Sequence, residues 1–151
     1  MKKKKFLTGT VSLLLILVLV VSLFSSCVSS GVELNYEINE DGKTCTVLGI
    51  KKLKGDILDL PQVIDGYTVT VIGEGAFSDA GFKTVSVPST VIEIKDEAFA
   101  RCVQLEKIDF AENSELKVIG YHTFVGCDAL TSIVFPDGVV EIGAFFWNFH
   151  S

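Results

Sequence analysis

Apolar residues recur in a fixed order along the chain, with a period of 22 to 25 residues from Val69 to the C-terminus. Each unit opens with two apolar residues three positions apart, in the form Val-x-x-Ile. These pairs are Val69 and Ile72, Val91 and Ile94, Leu116 and Ile119, and Val139 and Ile142. Because the same slots return at a near-constant spacing, the chain is built from small repeated units rather than around one central site.

Each unit continues with an aromatic slot, a short linking stretch and a strand-like run. The aromatic slot holds Phe77, Phe99 and Phe124, and the linking stretch after it has the pattern of a short helical turn. The run, which we call the signature strand, has the form Leu-x-x-Ile-x-Phe, and residues two apart on a strand point to the same side. It occurs at Phe82, Val85 and Val87, at Leu105, Ile108 and Phe110, and at Leu130, Ile133 and Phe135.

A unit of this kind cannot cover its own apolar face, so neighbouring units must stack. Stacked strands lie about 4.8 Å apart and enclose one continuous apolar interior. The pattern therefore predicts a repeat solenoid that is mainly β with short helical turns. An ordinary β-sandwich of unrelated strands is the alternative, but such a fold would not repeat its apolar slots in register.

Glycine follows the Val-x-x-Ile pair in three of the four units, as Gly73, Gly120 and Gly143. The second unit has Lys95 in the same slot. We therefore expect this slot to tolerate a side chain and not to require a positive φ.

The segment before the repeats alternates polar and apolar residues over 34–50, around the turn sequence Asn-Glu-Asp-Gly at 39–42. Such alternation about a turn that contains Asn and Gly predicts a β-hairpin. We expect residues 34–68 to form this cap and its lead-in. Residues 69–151 should then hold three full repeats and an incomplete fourth, in which Trp147 falls in the aromatic slot.

The slots together resemble the repeat consensus Ile-Gly-x-x-Ala-Phe-x-x-Cys-x-x-Leu-x-x-Ile-x-x-Pro of the BspA-type leucine-rich repeat family. The first unit matches it at Ile72-Gly73 and at Ala76-Phe77, and Leu58-x-Leu60-Pro61 matches the end of a signature strand. The likeness spans about residues 34–142. It implies a leucine-rich repeat array with an N-terminal β-hairpin cap, and a bacterial cell-surface protein that binds host or neighbouring-cell ligands.

The N-terminus has the pattern of an export signal over residues 1–26. Residues 2–5 are all lysine and residues 6–24 are almost wholly apolar, as in a secretory signal peptide. The following Leu-Phe-Ser-Ser-Cys resembles a bacterial lipobox, which implies lipidation of Cys27 and a short flexible tether over residues 27–33. An uncleaved membrane helix is the alternative, since the apolar stretch at about 1.5 Å per residue nearly crosses a bilayer core.

Either arrangement places the remaining chain outside the cytoplasm. No acidic residue follows Cys27 directly, so we expect a membrane-anchored lipoprotein at the outer membrane or cell surface. Two or three acyl chains on Cys27 would give stable anchoring, because a single chain binds membranes only marginally.

Removal of the signal leaves an acidic chain. Residues 1–26 hold four of the 13 basic residues and none of the 19 acidic ones, so residues 27–151 carry a formal charge of −10. Such a charge repels nucleic acid and anionic lipid headgroups. The acidic residues at variable positions lack the oxygen spacing of a calcium loop and are typical of a solvated face.

The chain shows no constellation of catalytic or metal-binding residues. Neither His122 nor His150 has a Cys, His or Asp at a sequence spacing suited to a metal site or a nucleophile, and there is no glycine-rich phosphate loop. Cys102 and Cys127 share a slot in adjacent units, within reach of a disulfide on stacking; Ala80 holds that slot in the first unit, which favours small, buried, free cysteines. We predict no enzyme activity, no cofactor and no metal site.

The outward positions around the signature strands form the candidate binding face. They are Lys83, Thr84, Ser86, Glu106, Lys107, Asp109, Thr131, Ser132 and Val134. This set lacks the Trp, Tyr and Arg that anchor tight interfaces, so recognition would depend on many surface copies. A merely solvated sheet face is the alternative at each position.

The sequence thus predicts a lipid-anchored protein-recognition or adhesion module whose ligand is a protein or a cell surface. A structural envelope protein, or a non-binding remnant of a longer surface adhesin, is the alternative.

Overall fold

The computed structural model of the chain describes residues 31–144, and within that range all regular secondary structure is strand. The strands are β1 Val32–Ile38, β2 Thr44–Leu53, β3 Ile57–Asp59, β4 Val63–Ile64, β5 Tyr67–Ile72, β6 Thr84–Val87, β7 Glu93–Ile94, β8 Lys107–Phe110, β9 Val118–Ile119 and β10 Glu141–Ile142. They form a mainly β solenoid of about four turns, which confirms the predicted fold class.

Several sequence predictions lie outside the described residues. These are the export signal, the lipidation of Cys27, and the placement of Trp147 in the aromatic slot of the fourth unit; His150 also lies outside them. Among residues 31–144, no helix has the length and apolar character needed to cross a membrane.

Two sheets run along the solenoid. The larger sheet contains the isoleucine of each Val-x-x-Ile pair and has the order β1-β2-β5-β7-β9-β10, with β4 antiparallel on β5. The smaller sheet contains signature strands in the order β3-β6-β8. Equivalent strands of successive units are parallel and in register, so Ile72 lies beside Ile94, and Ile94 beside Ile119. Each core slot therefore meets the same slot of the next unit.

The predicted N-terminal β-hairpin is present, but its first strand begins at Val32, within the residues 27–33 that were expected to form a flexible tether. Strands β1 and β2 are antiparallel, and Ile38 pairs with Cys45 across the turn. The Asp41 carboxylate accepts the amides of Lys43 and Thr44 at 2.8 and 2.9 Å; these bonds hold the pKa of that carboxyl below its usual value. Strand β2 then pairs in parallel with β5, so the hairpin covers the first edge of the larger sheet.

The interior between the sheets contains a column of aromatic rings, one from each unit. The ring centroids of Phe77 and Phe99 are 5.2 Å apart, and those of Phe99 and Phe124 are 5.6 Å apart and stacked. Phe82 meets Phe77 and Phe99 edge-on at 6.0 and 6.4 Å. All four side chains are fully buried. We call this column the phenylalanine spine.

The third signature run keeps its apolar slots but is not a strand. Leu130 is buried, and Ile133 and Phe135 are partly buried against the core. Residues 131–136 nevertheless have no strand assignment. The smaller sheet therefore ends at β8 within the described residues.

The stretch from the glycine slot to the signature strand is a series of tight turns, and the part after the aromatic slot, where a short helical turn was predicted, contains no helix. Ala76 N donates to Gly73 O at 3.2 Å and Ala80 N to Phe77 O at 3.1 Å. Alternate amides bond to the next unit instead: those of Gly75, Phe77 and Asp79 donate to the carbonyls of Asp96, Ala98 and Ala100. In an α-helix the amides donate to carbonyls of the same helix. The hydrogen bonds between units therefore exclude an α-helix in this stretch. That part of the prediction was wrong because local periodicity does not reveal these bonds.

Each turn series also contains two residues in the left-handed conformation. They are Gly75 and Asp79, Glu97 and Arg101, and His122 and Gly126, with φ between 54° and 71°. For a residue other than glycine this conformation costs roughly 1–2 kcal/mol. The bonds between units therefore set the turn geometry even where the sequence does not supply glycine.

The glycine slot is determined by close contact between units. Gly73, Gly120 and Gly143 have no positive φ, as expected. However, a Cβ on Gly120 would lie 2.5 Å from the Asp96 nitrogen, and one on Gly143 would lie 2.5 Å from the Tyr121 nitrogen. A Cβ on Gly73 would lie 2.9 Å from the Val47 carbonyl oxygen. The expectation that this slot tolerates a side chain therefore holds for Lys95 and is wrong for all three glycines.

Candidate functional site

The outer face of the smaller sheet brings four of the predicted site residues together. Val85, Val87 and Ile108 point into the core and are buried, so the residues that alternate with them point outward. The outward residues are Thr84, Ser86, Lys107 and Asp109. Register places Thr84 beside Lys107 and Ser86 beside Asp109. Polar side chains therefore run across the units in two rows.

The first strand of this sheet extends both rows. Ile57 pairs with Thr84, and Asp59 pairs with Ser86. Ile57 is 62% exposed. The sequence reasoning missed both residues, although Leu58 and Leu60 had been identified as core slots, and the positions that alternate with them would have located the pair. We call the rows Ile57-Thr84-Lys107 and Asp59-Ser86-Asp109 the polar ladder.

Lys83 and Glu106 lie at the entrance to the strands rather than on the ladder. Lys83 N donates to Asp56 O at 2.7 Å, and Glu106 N donates to Lys83 O at 2.8 Å. The Lys83 ammonium also approaches the Asp56 carboxylate at 3.8 Å. Both predicted residues therefore flank the ladder.

Thr131, Ser132 and Val134 are exposed but lie outside the sheet. Val134 is 85% exposed. The structure therefore does not bring these three predicted residues into register with the polar ladder.

Two outward residues of β8 form an ion pair within the polar ladder. Lys107 Nζ lies 2.7 Å from Asp109 Oδ1, with side-chain exposures of 65% and 45%. Exposed pairs of this kind add at most about 1 kcal/mol to stability. Its main consequence is to fix two opposite charges side by side on an open surface. A shallow depression of about 260 Å³ lies next to them, lined by Asp59, Ser86, Pro88 and Ala111 among others.

The outer side of the larger sheet has a different character. An open cleft of about 220 Å³ is lined by Glu74, Glu93, Asp96 and Glu141, together with Lys95 and Tyr121. Within residues 31–144, no group of three or more His, Cys, Asp and Glu side chains is arranged to hold a metal ion. Four carboxylates against one lysine line the cleft, so it is acidic.

The two repeat cysteines are buried and free. Cys102 Sγ donates to the carbonyl of Phe77 at 3.0 Å, and Cys127 Sγ donates to that of Phe99 at 3.1 Å. The neighbouring Cys127 thiol and burial both raise the pKa of the Cys102 thiol, and a protonated, enclosed thiol is a poor nucleophile. These cysteines serve as small core residues that also link one unit to the next.

A charged pair links the turns of two units on the solenoid surface. Arg101 Nε and Nη2 donate to the two Asp79 carboxylate oxygens at 2.9 and 2.8 Å. The guanidinium holds the pKa of the Asp79 carboxyl below its usual value. Both side chains are more than half exposed, so we treat the pair as a surface contact rather than a site.

Short parallel strands, an aromatic column and repeated inter-unit turns define a leucine-rich repeat solenoid, and the comparisons with known proteins agree. The family described as BspA type leucine rich repeat region matches residues 58–150 in six copies. The chain belongs to the BspA-type leucine-rich repeat family. Proteins of this class are generally non-enzymatic modules that bind other proteins. A comparison with curated proteins finds no match.

Solved structures of similar proteins come from bacteria. A leucine-rich repeat protein from Bacteroides capillosus is 34% identical with a TM-score of 0.67, over 77% of this chain and 86% of that one. The leucine rich repeat protein of T. pallidum is 27% identical with a TM-score of 0.63, over 74% of this chain and 62% of that one. A leucine rich cell surface protein from Faecalibacterium prausnitzii is 29% identical with a TM-score of 0.64, over 77% of this chain but only 32% of that one.

Proposed function

We propose that this chain is a lipid-anchored, surface-exposed module that recognises a protein or cell-surface ligand through the polar ladder. The observation that supports this most is the register of the smaller sheet, which aligns outward side chains of β3, β6 and β8 into two continuous rows. An extended, open face of this kind fits a broad macromolecular surface better than a small molecule, which prefers a concave pocket. The similar Faecalibacterium prausnitzii protein is described as a cell surface protein.

The composition of the ladder favours weak individual contacts. Its polar members are short side chains and one Lys–Asp pair, and it has none of the Trp, Tyr or Arg residues that usually dominate binding energy. Many copies on one cell surface would compensate, because linked binding events raise the effective concentration of each further contact. We therefore propose adhesion by avidity rather than by a single tight complex.

Anchoring through Cys27 gives the first prediction. In cells that express the full chain, replacing Cys27 with alanine is expected to abolish incorporation of labelled fatty acid, since the thiol that carries the first lipid is gone. The measurement is labelling with a palmitate analogue followed by membrane fractionation. Cys45→Ala is the matched control, because Cys45 is a buried thiol of the fold. Equal labelling of the wild type and Cys27→Ala would contradict the lipid anchor.

Recognition through the ladder gives the second prediction. Beads coated with the Lys107→Ala/Asp109→Ala variant should be retained on cell monolayers about ten-fold less than wild-type beads, because small losses multiply across many contacts. Lys117→Ala/Glu141→Ala is the matched control, since it removes the same charges from exposed positions away from the ladder: Glu141 is in β10 and Lys117 directly precedes β9. Equal retention of the two double variants would sink the proposal that the ladder is the recognition surface.

A further inference from the structure

Three exposed lysines lie where the chain enters the fold. Lys51 and Lys52 are in the last part of β2, and Lys54 follows it directly. Pairing within the hairpin places Lys52 opposite Glu33, and Lys54 N donates to Gly31 O at 3.0 Å. These side chains, which we call the entry lysines, are therefore next to the first described residue of the chain.

The charge of the entry lysines is only partly balanced. The ammonium groups of Lys51 and Lys52 share one carboxylate, that of Glu33, at 3.6 and 3.8 Å. Both lysine side chains are about two-thirds exposed or more, at 67% and 70%, so these contacts are weak. Among residues 31–144 no carboxylate lies within ion-pair distance of Lys54. A net positive charge remains at this end.

The rest of the array has the opposite sign. Residues 57–144 contain 14 acidic and five basic side chains. The turn at the far end of the hairpin is acidic as well, with Glu37, Glu40 and Asp41 against Lys43. Asp56, which follows the entry lysines in sequence, already pairs with the Lys83 ammonium at 3.8 Å. Folding thus separates a small basic end from a long acidic body.

Covalent connectivity sets the distance of this basic end from an anchored membrane. The four residue steps from Cys27 to Gly31 span at most about 14 Å when fully extended. Electrostatic attraction to a charged bilayer acts over about 10 Å at moderate salt, and juxtamembrane lysines respond to anionic headgroups within that range. A lipid on Cys27 would therefore hold the entry lysines close enough to the bilayer for electrostatic attraction to its headgroups.

We propose that the entry lysines bind anionic lipid headgroups of the membrane to which Cys27 is anchored. The same surface repels the acidic body, so the hairpin end of the array faces the bilayer and the later units lie farther from it. This interaction rests on the proposed lipid anchor. It adds an electrostatic contact that orients the array relative to the membrane.

The experiment supplies the anchor chemically, so that it does not depend on lipidation in cells. Residues 27–151 are coupled through Cys27 to a maleimide-bearing lipid in vesicles; from Gly31 onward they form a compact unit of their own. The other cysteines, Cys45, Cys102 and Cys127, are buried and do not compete for the reagent. Vesicles of phosphatidylcholine alone are compared with vesicles that also contain phosphatidylglycerol.

The measurement is the rate at which a water-soluble reagent acylates each lysine, followed by mass spectrometry. On anionic vesicles the entry lysines should react about five-fold more slowly than on neutral ones, and high salt should remove the difference. Lys95 and Lys117 are the internal controls, exposed on the acidic body, and their rates should not change. Equal rates for the entry lysines on both vesicles, or a uniform fall at every lysine, would overturn the proposal. Failure of the lipid anchor itself would appear separately, in the fatty-acid labelling of Cys27→Ala.

Discussion

Phe99→Ala is expected to lower the free energy of unfolding by about 3–5 kcal/mol, the range for truncation of a fully buried aromatic side chain. Phe99 is the central ring of the phenylalanine spine, with Phe77 at 5.2 Å on one side and Phe124 at 5.6 Å on the other. It also meets Phe82 edge-on. The truncation removes contacts to three rings in two neighbouring units. In a solenoid, where each unit is stabilised by its neighbours, such a cavity weakens both interfaces at once.

Urea unfolding followed by circular dichroism measures this effect. Tyr121→Ala is the matched control, because Tyr121 is also aromatic but is 56% exposed; its change should stay within about 0.5 kcal/mol. If Phe99→Ala lowers the free energy of unfolding by less than about 1.5 kcal/mol, the phenylalanine spine is not a main source of the core's stability.

Gly120→Ala should destabilise the chain by about 3 kcal/mol, the upper part of the range for forcing an extra group into a packed interior. The new Cβ would lie 2.5 Å from the Asp96 nitrogen and 2.7 Å from the Lys95 carbonyl carbon. Both are backbone atoms of the preceding unit, so no side-chain rotation relieves the contact. The units would have to separate, and the bond from Gly120 N to Ile94 O, now 2.8 Å, would lengthen.

Thermal unfolding compares this variant with Gly81→Ala. A Cβ on Gly81 would meet only the Gln104 side-chain nitrogen, at 3.8 Å, and Gly81 has no positive φ. Gly81→Ala should therefore be neutral or slightly stabilising, because alanine has less conformational freedom in the unfolded chain. Similar melting temperatures for the two variants would contradict the close-contact explanation of the glycine slot.

The solenoid and its core could be predicted from the sequence because they depend on a pattern that each unit repeats. The slots of Phe77, Phe99 and Phe124 were recognisable by spacing alone, and the structure brings these rings into one column. The hairpin was recognisable for a similar reason: alternation and turn residues are local properties. In both cases the informative residues are close together in sequence or identical between units.

The turns could not be predicted in the same way. The segment after Gly73 has residues compatible with a helix, but its alternate amides bond to the next unit, for example Phe77 N to Ala98 O at 2.8 Å. Whether a glycine slot accepts a side chain likewise depends on the distance to a backbone in another unit. Neither quantity is encoded in a single repeat.

The candidate site was half predictable. Alternation along the signature strands identified Thr84, Ser86, Lys107 and Asp109 as outward, since neighbouring core slots must point the other way. The addition of β3 and the absence of a strand at 131–136 depend on which strands actually pair. The composition showed that the chain is acidic overall. It did not show that the entry lysines lie apart from the acidic residues, because that depends on the hairpin, which brings Lys54 back to Gly31.

The sequence by itself determined that this chain is a stack of similar units with an apolar interior, because burying a repeated apolar face leaves little choice but stacking. The tertiary structure alone decided how closely the units approach, which backbone groups they share and which surface side chains become neighbours. These features arise from distances between units, where a few tenths of an ångström separate a hydrogen bond from a clash, and a pattern of residue types does not carry that information.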